Sequence, residues 1–387
     1  MRIPEIDAIL SRASSAREVP GVVALAASKS GLIYEGAFGK RDLETGAAMA
    51  PDTLFRLASM TKALTSVAAL QLVEEGKLAL DEPIGRVLPE LASPRVLDGF
   101  DDKGRPRLRA ARRAITLRHL LTHTAGFAYE VWDPALGRYL RESGAPSILS
   151  AKLAALSQPL LFDPGERWEY GINTDLVGLG VEGASGKTLD AYFRERITGP
   201  LGMNDTGFLL SAAEEARLAR VHRRRGEGTL EPAAREAAAA PEFFRGGGGL
   251  YGSGRDYLVF LEMLLGGGKR EGVRLLRPET VALLAENQIG ELEAGIMKSE
   301  MPQLSNDVDL LPGIACKWGL ATLINAEPVR GGRSAGSLSW AGLYNSYYWI
   351  DRSRGVAGVI LTQILPFADP LVLRLYREFE RALYRAL

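Results

Sequence analysis

Strand-like segments occur near both ends of this 387-residue chain, and the part between them has mostly helical patterns. Near the amino end, residues 21–27 and 32–38 are apolar and are joined by a short turn. Four more strand-like segments follow late in the chain: 319–324, 337–340, 344–350 and 356–362. This order predicts an α+β fold in which one antiparallel sheet is assembled from both ends of the chain and is flanked by helices.

Breaks in composition divide the chain between these two sets of strands. A helical pattern over residues 54–75 is followed by three prolines and by the mixed-charge segment 101–113, which interrupt regular structure. A run of four glycines beginning at residue 246 is the next break. Two domains are expected, with an active site at their interface: an α/β domain of residues 1–85 and 246–387, and an inserted, mostly helical domain of residues 86–245.

Charge and hydropathy exclude several classes of protein. Lysine and arginine total 47 and aspartate and glutamate total 47, so no net charge favours nucleic acid or an anionic membrane as a partner. No run of 18 apolar residues could span a bilayer, and residues 1–13 lack the apolar stretch of a signal peptide. We therefore expect a cytoplasmic protein without nucleic-acid or membrane partners, and the oligomeric state stays open.

Cysteine and histidine usage argues against cofactors. Cys316 is the only cysteine, which excludes an internal disulfide and a multi-cysteine metal site, and we interpret it as a small buried hydrophobe. His119, His123 and His222 lack the arrangement of a metal site, and His123 is predicted to hydrogen-bond a loop of the helical domain. The sequence predicts neither a metal nor an organic cofactor.

The chain contains one S-x-x-K motif, Ser59-Met60-Thr61-Lys62. On a helix, a spacing of three residues places the serine hydroxyl and the lysine ammonium on one face, one turn apart. The lysine could then take the serine proton, which a weakly nucleophilic serine requires. The motif is short enough to occur by chance, so its meaning depends on the segments around it.

Several other stretches occur in an order that resembles the serine β-lactamase and penicillin-binding-protein superfamily, and most closely the class C-like carboxylesterases known as family VIII esterases. The resemblance spans most of the chain and rests on these stretches: FRLASMTK at 55–62, LLTHTAG at 120–126, PGERWEY at 164–170, GPLGM at 199–203 and WAGL at 340–343. It implies a β-lactamase-like fold and a serine that becomes acylated.

The resemblance also implies roles for individual residues. Ser59 corresponds to the nucleophile, Lys62 to the base or proton relay, and Tyr170 to a second acid or base. The backbone N–H groups of Ser59 and Leu343 correspond to the oxyanion hole. We expect the lysine ammonium to lower the pKa of Tyr170 and to orient its phenolate toward the serine.

Two positions depart from the lactamase pattern. The Tyr-x-Asn box reads Tyr170-Gly171-Ile172, with Asn173 one place late, and the strand motif that carries a cation reads Trp340-Ala341-Gly342. An indole cannot replace the cation that binds the carboxylate of a β-lactam, so we expect inefficient β-lactam hydrolysis. Family VIII esterases resemble this chain in having Trp-x-Gly there.

Aromatic residues are candidates for the substrate pocket. Phe127, Tyr129 and Trp132 follow the His-Thr-Ala-Gly loop, and related esterases place a tyrosine at the position of Tyr129 beside the nucleophile. With Trp340 and Gly342 they form the predicted substrate-binding set, although Phe127 and Trp132 could equally have structural roles. Aromatic walls suit an acyl or aryl ester.

A second serine motif, Gly332-Arg333-Ser334-Ala335-Gly336, matches the G-x-S-x-G elbow of α/β-hydrolases. An elbow needs a strand, a sharp turn and a helix, whereas a strand-like segment follows here and no histidine comes after Ser334. We therefore interpret Ser334 as a turn residue.

Together these observations predict a cofactor-independent serine hydrolase that cleaves small carboxylic esters with short acyl chains through an acyl-enzyme on Ser59. Three alternatives remain open: an acyltransferase of the same fold, an amide hydrolase of the β-lactamase or D,D-peptidase type, and a sensor that is acylated once without turnover. The natural substrate is not specified by the sequence.

Overall fold

The protein is described by a computed structural model covering residues 3–226, 228–234 and 241–387. The predicted inserted domain includes residues 227 and 235–240, which lie outside the described residues, and the division into two domains stays a prediction. The strands are β1 Gly21–Ser28, β2 Gly31–Gly39, β3 Leu54–Arg56, β4 Arg95–Phe100, β5 Pro106–Ala110, β6 His222–Arg225, β7 Thr229–Pro232, β8 Tyr251–Ser253, β9 Lys269–Arg270, β10 Val273–Arg274, β11 Cys316–Trp318, β12 Leu323–Asn325, β13 Leu338–Gly342, β14 Ser346–Asp351, β15 Val356–Leu361 and β16 Ile364–Leu365.

Helices connect and cover these strands. The α-helices are α1 Pro4–Ser15, α2 Thr61–Glu74, α3 Leu117–Leu121, α4 Pro134–Ser143, α5 Asn173–Ser185, α6 Leu189–Phe193, α7 Gly199–Leu201, α8 Ala212–Glu215, α9 Gly254–Leu265, α10 Pro278–Leu284 and α11 Pro370–Ala386. Short 3-10 helices cover Ala58–Met60, Ile84–Arg86, Pro89–Leu91, Ile148–Ser150 and Leu153–Leu156, and a π-helical turn covers Arg194–Thr198. No helix within the described ranges combines the length and apolarity needed to cross a bilayer.

The central sheet has seven strands in the order β11-β12-β13-β14-β15-β1-β2. Each neighbouring pair is antiparallel, and β1 from the amino end lies between β2 and β15 from the carboxyl end. The predicted α+β fold, with a sheet built from both ends of the chain, is therefore confirmed.

Helices cover both faces of this sheet. Successive side chains of β14 alternate between faces, and Tyr347 and Trp349 contact Tyr376 and Phe379 of α11, respectively. Tyr348, between them, packs against Tyr257 of α9 instead, with the rings tilted and their centroids 5.3 Å apart. Because α9 and α11 lie on opposite faces, the sheet is buried on both sides, which explains why β14 is buried at every position and carries aromatic or aliphatic side chains at 347–350.

Three local predictions were wrong. The helix predicted over 54–75 begins only at Thr61, because Leu54–Arg56 pairs with β8 as a strand. The strand predicted over 319–324 is mostly a turn: residues 319–322 join β11 to β12, and the Gly319 amide donates there to the Thr322 carbonyl. The segment 101–113 contains β5, which pairs with β4 as a hairpin.

Candidate active site

Ser59 lies in a tight turn between β3 and α2. Ala58 before it has a φ of +47°, a left-handed conformation that costs free energy for a residue other than glycine. The turn also approaches β13 closely, since a Cβ on Gly342 would lie 2.4 Å from the Leu57 carbonyl oxygen. Gly342 therefore lets strand β13 come close to the nucleophile turn, which is a spacing role and not a wall of the pocket.

The Lys62 side chain lies at the centre of the site. Its ammonium donates to Ser59 Oγ at 3.2 Å, to the Tyr129 hydroxyl at 3.1 Å and to the Gly247 carbonyl oxygen at 2.7 Å. An ammonium has three N–H donors, so these three acceptors use all of them. When Lys62 is a neutral amine, one of its N–H groups still donates to the Gly247 carbonyl oxygen, which can only accept. The lone pair on the Lys62 nitrogen is then available to accept the Ser59 proton.

Burial favours this neutral amine. The Lys62 side chain is almost fully buried, and this desolvation lowers its pKa to about 7, with a nearby negative charge on Asp175 opposing the shift and Arg245 adding to it. A base with a pKa close to neutral pH is present in a large unprotonated fraction and is still strong enough to take a proton. The geometry and the electrostatics thus both suit Lys62 as the base.

The pKa of the Tyr170 phenol differs from the expectation. Burial raises its pKa well above the usual tyrosine value, although hydrogen bonds with Ser59 and Trp340 act in the opposite direction. The expected lowering of the Tyr170 pKa is therefore wrong, because desolvation dominates the shift. The Trp340 indole donates to the Tyr170 hydroxyl oxygen at 3.0 Å, which leaves the phenol proton free to be donated elsewhere.

His123 packs against the Tyr170 ring and is itself held by Asn173. His123 Nδ1 lies 3.0 Å from Asn173 Nδ2 and accepts from the Gly171 amide at 3.4 Å, which confirms the predicted bond to a loop. Its ring packs against Tyr170, with centroids 4.8 Å apart. Burial lowers the pKa of His123 well below its usual value, so it acts as a neutral acceptor. Asn173, which follows Tyr170 one position later than the asparagine of the Tyr-x-Asn box, contacts His123.

A cleft opens in front of Ser59. The predicted residues Tyr129, Trp132, Tyr170, Trp340 and Leu343 line it together with Ser59. Phe127 is not among the described residues that line the cleft: it is buried, and its carbonyl accepts from Asn173. Further lining residues are mostly apolar: Val131, Ile148, Leu149, Leu304 and Phe367.

Ser334 lies outside this site. Its amide donates to Asp351 Oδ2 at 2.8 Å, and its carbonyl accepts from Asn325 and Ser337. These bonds shape the turn between β12 and β13, as the sequence predicted for a turn residue.

Two charged residues near Lys62 were missed from the sequence. Asp175 is fully buried on the first turn of α5, and its Oδ1 accepts from the Gly247 amide at 2.9 Å. Gly247 thus contacts Asp175 through its amide and Lys62 through its carbonyl. Arg245 also lines the cleft, immediately before the glycine run. A carboxylate directly before the apolar stretch 176–181 was the available signal for Asp175, whereas the glycine run indicated only a domain break.

The substitution Asp175→Asn tests this electrostatic arrangement. The amide oxygen of asparagine can still accept from Gly247, but the negative charge that raises the pKa of Lys62 is lost. Lys62 would then lose its proton at lower pH. We expect the acid limb of the kcat/KM profile, near pH 7 if Lys62 is the base, to move to lower pH. Asp307→Asn, in an exposed ion pair, is the control, and an unmoved limb in Asp175→Asn would contradict the arrangement.

Comparison with known proteins supports a common origin. A family model described as beta-lactamase matches residues 6–383. Monacolin J acid methylbutanoyltransferase of Aspergillus terreus is 35% identical over 96% of this chain and 93% of its own length, and esterase EstB of Burkholderia gladioli is 33% identical over 92% and 89%. The solved structure of simvastatin synthase (LovD) from Aspergillus terreus covers 100% of this chain and 99% of its own at 33% identity, with a TM-score of 0.86. The resemblance seen in the sequence motifs is confirmed: the chain belongs to the beta-lactamase family.

Proposed function

We propose that the protein is a serine hydrolase that cleaves carboxylic esters through an acyl-enzyme on Ser59. The observation that carries the proposal is the placement of Lys62, 3.2 Å from Ser59 Oγ, with a pKa lowered to about 7 by burial. Esterases and acyltransferases among the relatives support the same reaction class.

The reaction begins with proton transfer from Ser59 to neutral Lys62 as Ser59 Oγ attacks the ester carbonyl. The oxyanion that forms is placed to meet the backbone N–H groups of Ser59 and Leu343, two residues that line the cleft. The carbon–oxygen bond to the alcohol then breaks, and the leaving alkoxide takes the proton of the Tyr170 phenol. Protonated Lys62 then returns a proton to the Tyr170 oxygen. Water attacks the acyl-enzyme with the same groups acting in reverse.

Acyl transfer to an alcohol is the second candidate. It is favoured by a relative named as a methylbutanoyltransferase that aligns over 96% of the chain. The two functions share the acyl-enzyme and differ only in whether water or an organic alcohol reaches it. The largely apolar cleft could admit such an alcohol.

Product analysis separates the candidates. With p-nitrophenyl butanoate as acyl donor and ethanol or a larger alcohol added, we expect free butanoate to account for most of the p-nitrophenol released. Butanoyl esters of the added alcohol as the main product would favour the acyltransferase. A single burst of p-nitrophenol without turnover would contradict both and favour a sensor, and nitrocefin turnover as efficient as that of the best ester would contradict the ester assignment.

A further inference from the structure

Arg245 carries a charge in the cleft that no part of the proposed reaction uses. Its side chain forms neither an ion pair nor a hydrogen bond with any of the described residues, and its buried Nε has no partner there. Arg333 shows the contrast, because its buried guanidinium is held by Glu380 and the Tyr376 hydroxyl. An unpaired donor of this kind is costly to bury, so Arg245 is left available for a group that arrives from outside.

The guanidinium lies close to the nucleophile turn. A Cβ placed on Gly248, another lining residue, would lie 3.2 Å from Arg245 Nη2 and 3.7 Å from the carbonyl carbon of Ala58. Arg245 and the residue preceding Ser59 therefore approach the same point in the cleft. The charge of Arg245 also influences Lys62 and Tyr129, which places it within electrostatic range of the reacting groups.

The negative charge of Glu130 limits where the cleft can attract an anionic group. Glu130 lines the same cleft, so the cleft as a whole does not attract anions. The other residues that line the cleft are mostly aliphatic or aromatic, including Ile148, Leu304 and Phe367. A ligand group would have to reach Arg245 itself to gain from its charge.

We propose that Arg245 binds a carboxylate of the substrate, and that the natural ester is therefore anionic, with its carboxylate on either the acyl or the alcohol part. The inference rests on the proposed function and adds a substrate class to it. A guanidinium fits a carboxylate with two parallel N–H donors, which gives orientation as well as attraction. The sequence predicted no cation in the pocket because Trp340 replaces the strand lysine of lactamases; Arg245 supplies one from a different loop.

Matched pairs of esters test this. For the acyl side the pair is p-nitrophenyl hemiadipate and neutral p-nitrophenyl hexanoate; for the alcohol side it is 4-(butanoyloxy)benzoate and its neutral methyl ester. For each pair the ratio of kcat/KM, charged over neutral, is measured in the wild type, Arg245→Gln and Arg245→Lys. Arg86→Gln, which removes an exposed arginine outside the cleft, is the control.

We expect the wild-type ratio to exceed one in at least one pair and to fall about tenfold in Arg245→Gln, the size of a hydrogen bond to a charged group. Arg245→Lys should retain part of the preference, Arg86→Gln all of it, and added salt should reduce it in the wild type. Any effect of Arg245 on the pKa of Lys62 acts on both esters and cancels in the ratio.

Ratios at or below one in both wild-type pairs, or an unchanged ratio in Arg245→Gln, would overturn the carboxylate site. If neutral esters were still cleaved by the wild type and not by Ser59→Ala, the proposed function would stand without it. No turnover of any ester would instead remove the proposed function. Should Arg245→Gln fail to fold, the carboxylate site is tested by the salt dependence of the wild-type ratio and by the ratio in Arg245→Lys.

Discussion

Ser59→Ala is expected to abolish ester cleavage, lowering kcat/KM on the order of 10⁴-fold or more, as loss of a covalent nucleophile does in serine hydrolases. In the structure Ser59 Oγ lies 3.2 Å from Lys62 Nζ, in the turn that precedes α2. Alanine removes the atom that carries the acyl group and leaves the backbone of the turn intact. Steady-state rates with p-nitrophenyl butanoate, and the mass of the protein quenched during turnover, give the two readouts.

Ser334→Ala is the matched control. It removes a serine hydroxyl from the other serine motif, where the amide and carbonyl of Ser334 shape a turn and no lysine lies at the S-x-x-K spacing. We expect this variant to retain most of its activity and the acyl adduct of the wild type. An adduct that persists in Ser59→Ala, or activity lost only in Ser334→Ala, would disprove the assignment of the nucleophile.

A sheet built from both ends of the chain could be anticipated because burial imposes recognisable patterns on the sequence. Strands β14 and β15 are buried throughout and carry mostly aromatic or aliphatic residues, and the hairpin of β1 and β2 is marked by the turn before Gly31. Boundaries were less certain where pairing overrides local pattern. Leu54–Arg56 has residues compatible with a helix, but hydrogen bonds to β8, distant in sequence, make it a strand.

Motifs predicted Ser59, Lys62 and Tyr170 as a catalytic trio, whereas the electrostatics of these residues required the structure. A pKa depends on what surrounds a group, and Tyr170 lies among Trp318, Trp340 and other rings that exclude water. The contribution of Asp175 was equally hidden, because Asp175 and Lys62 both bond to Gly247, which is far from each of them in the sequence. Sequence spacing predicts contacts along one helix, but not contacts between a helix and a glycine loop.

Tyr170→Phe is expected to lower kcat by about 10²-fold or more, with a much smaller change in KM, because proton donation matters in the transition state and little in ground-state binding. Burial keeps the Tyr170 phenol protonated, and Trp340 already donates to its oxygen, so its own proton is directed to a reacting group. Phenylalanine keeps the ring among its aromatic neighbours and removes only the hydroxyl.

The leaving group shows whether Tyr170 acts as this donor. A p-nitrophenolate leaves readily without a proton, whereas an ethoxide does not, so the loss in Tyr170→Phe should be larger for ethyl butanoate than for p-nitrophenyl butanoate. Trp340→Phe is the matched comparison, since it removes the indole donor at 3.0 Å but keeps the phenol, and it should cost less than loss of the hydroxyl. Equal losses of kcat for both esters would assign Tyr170 to activation of Ser59, because that step is common to both substrates. A near-normal kcat of Tyr170→Phe with ethyl butanoate would exclude Tyr170 from proton transfer.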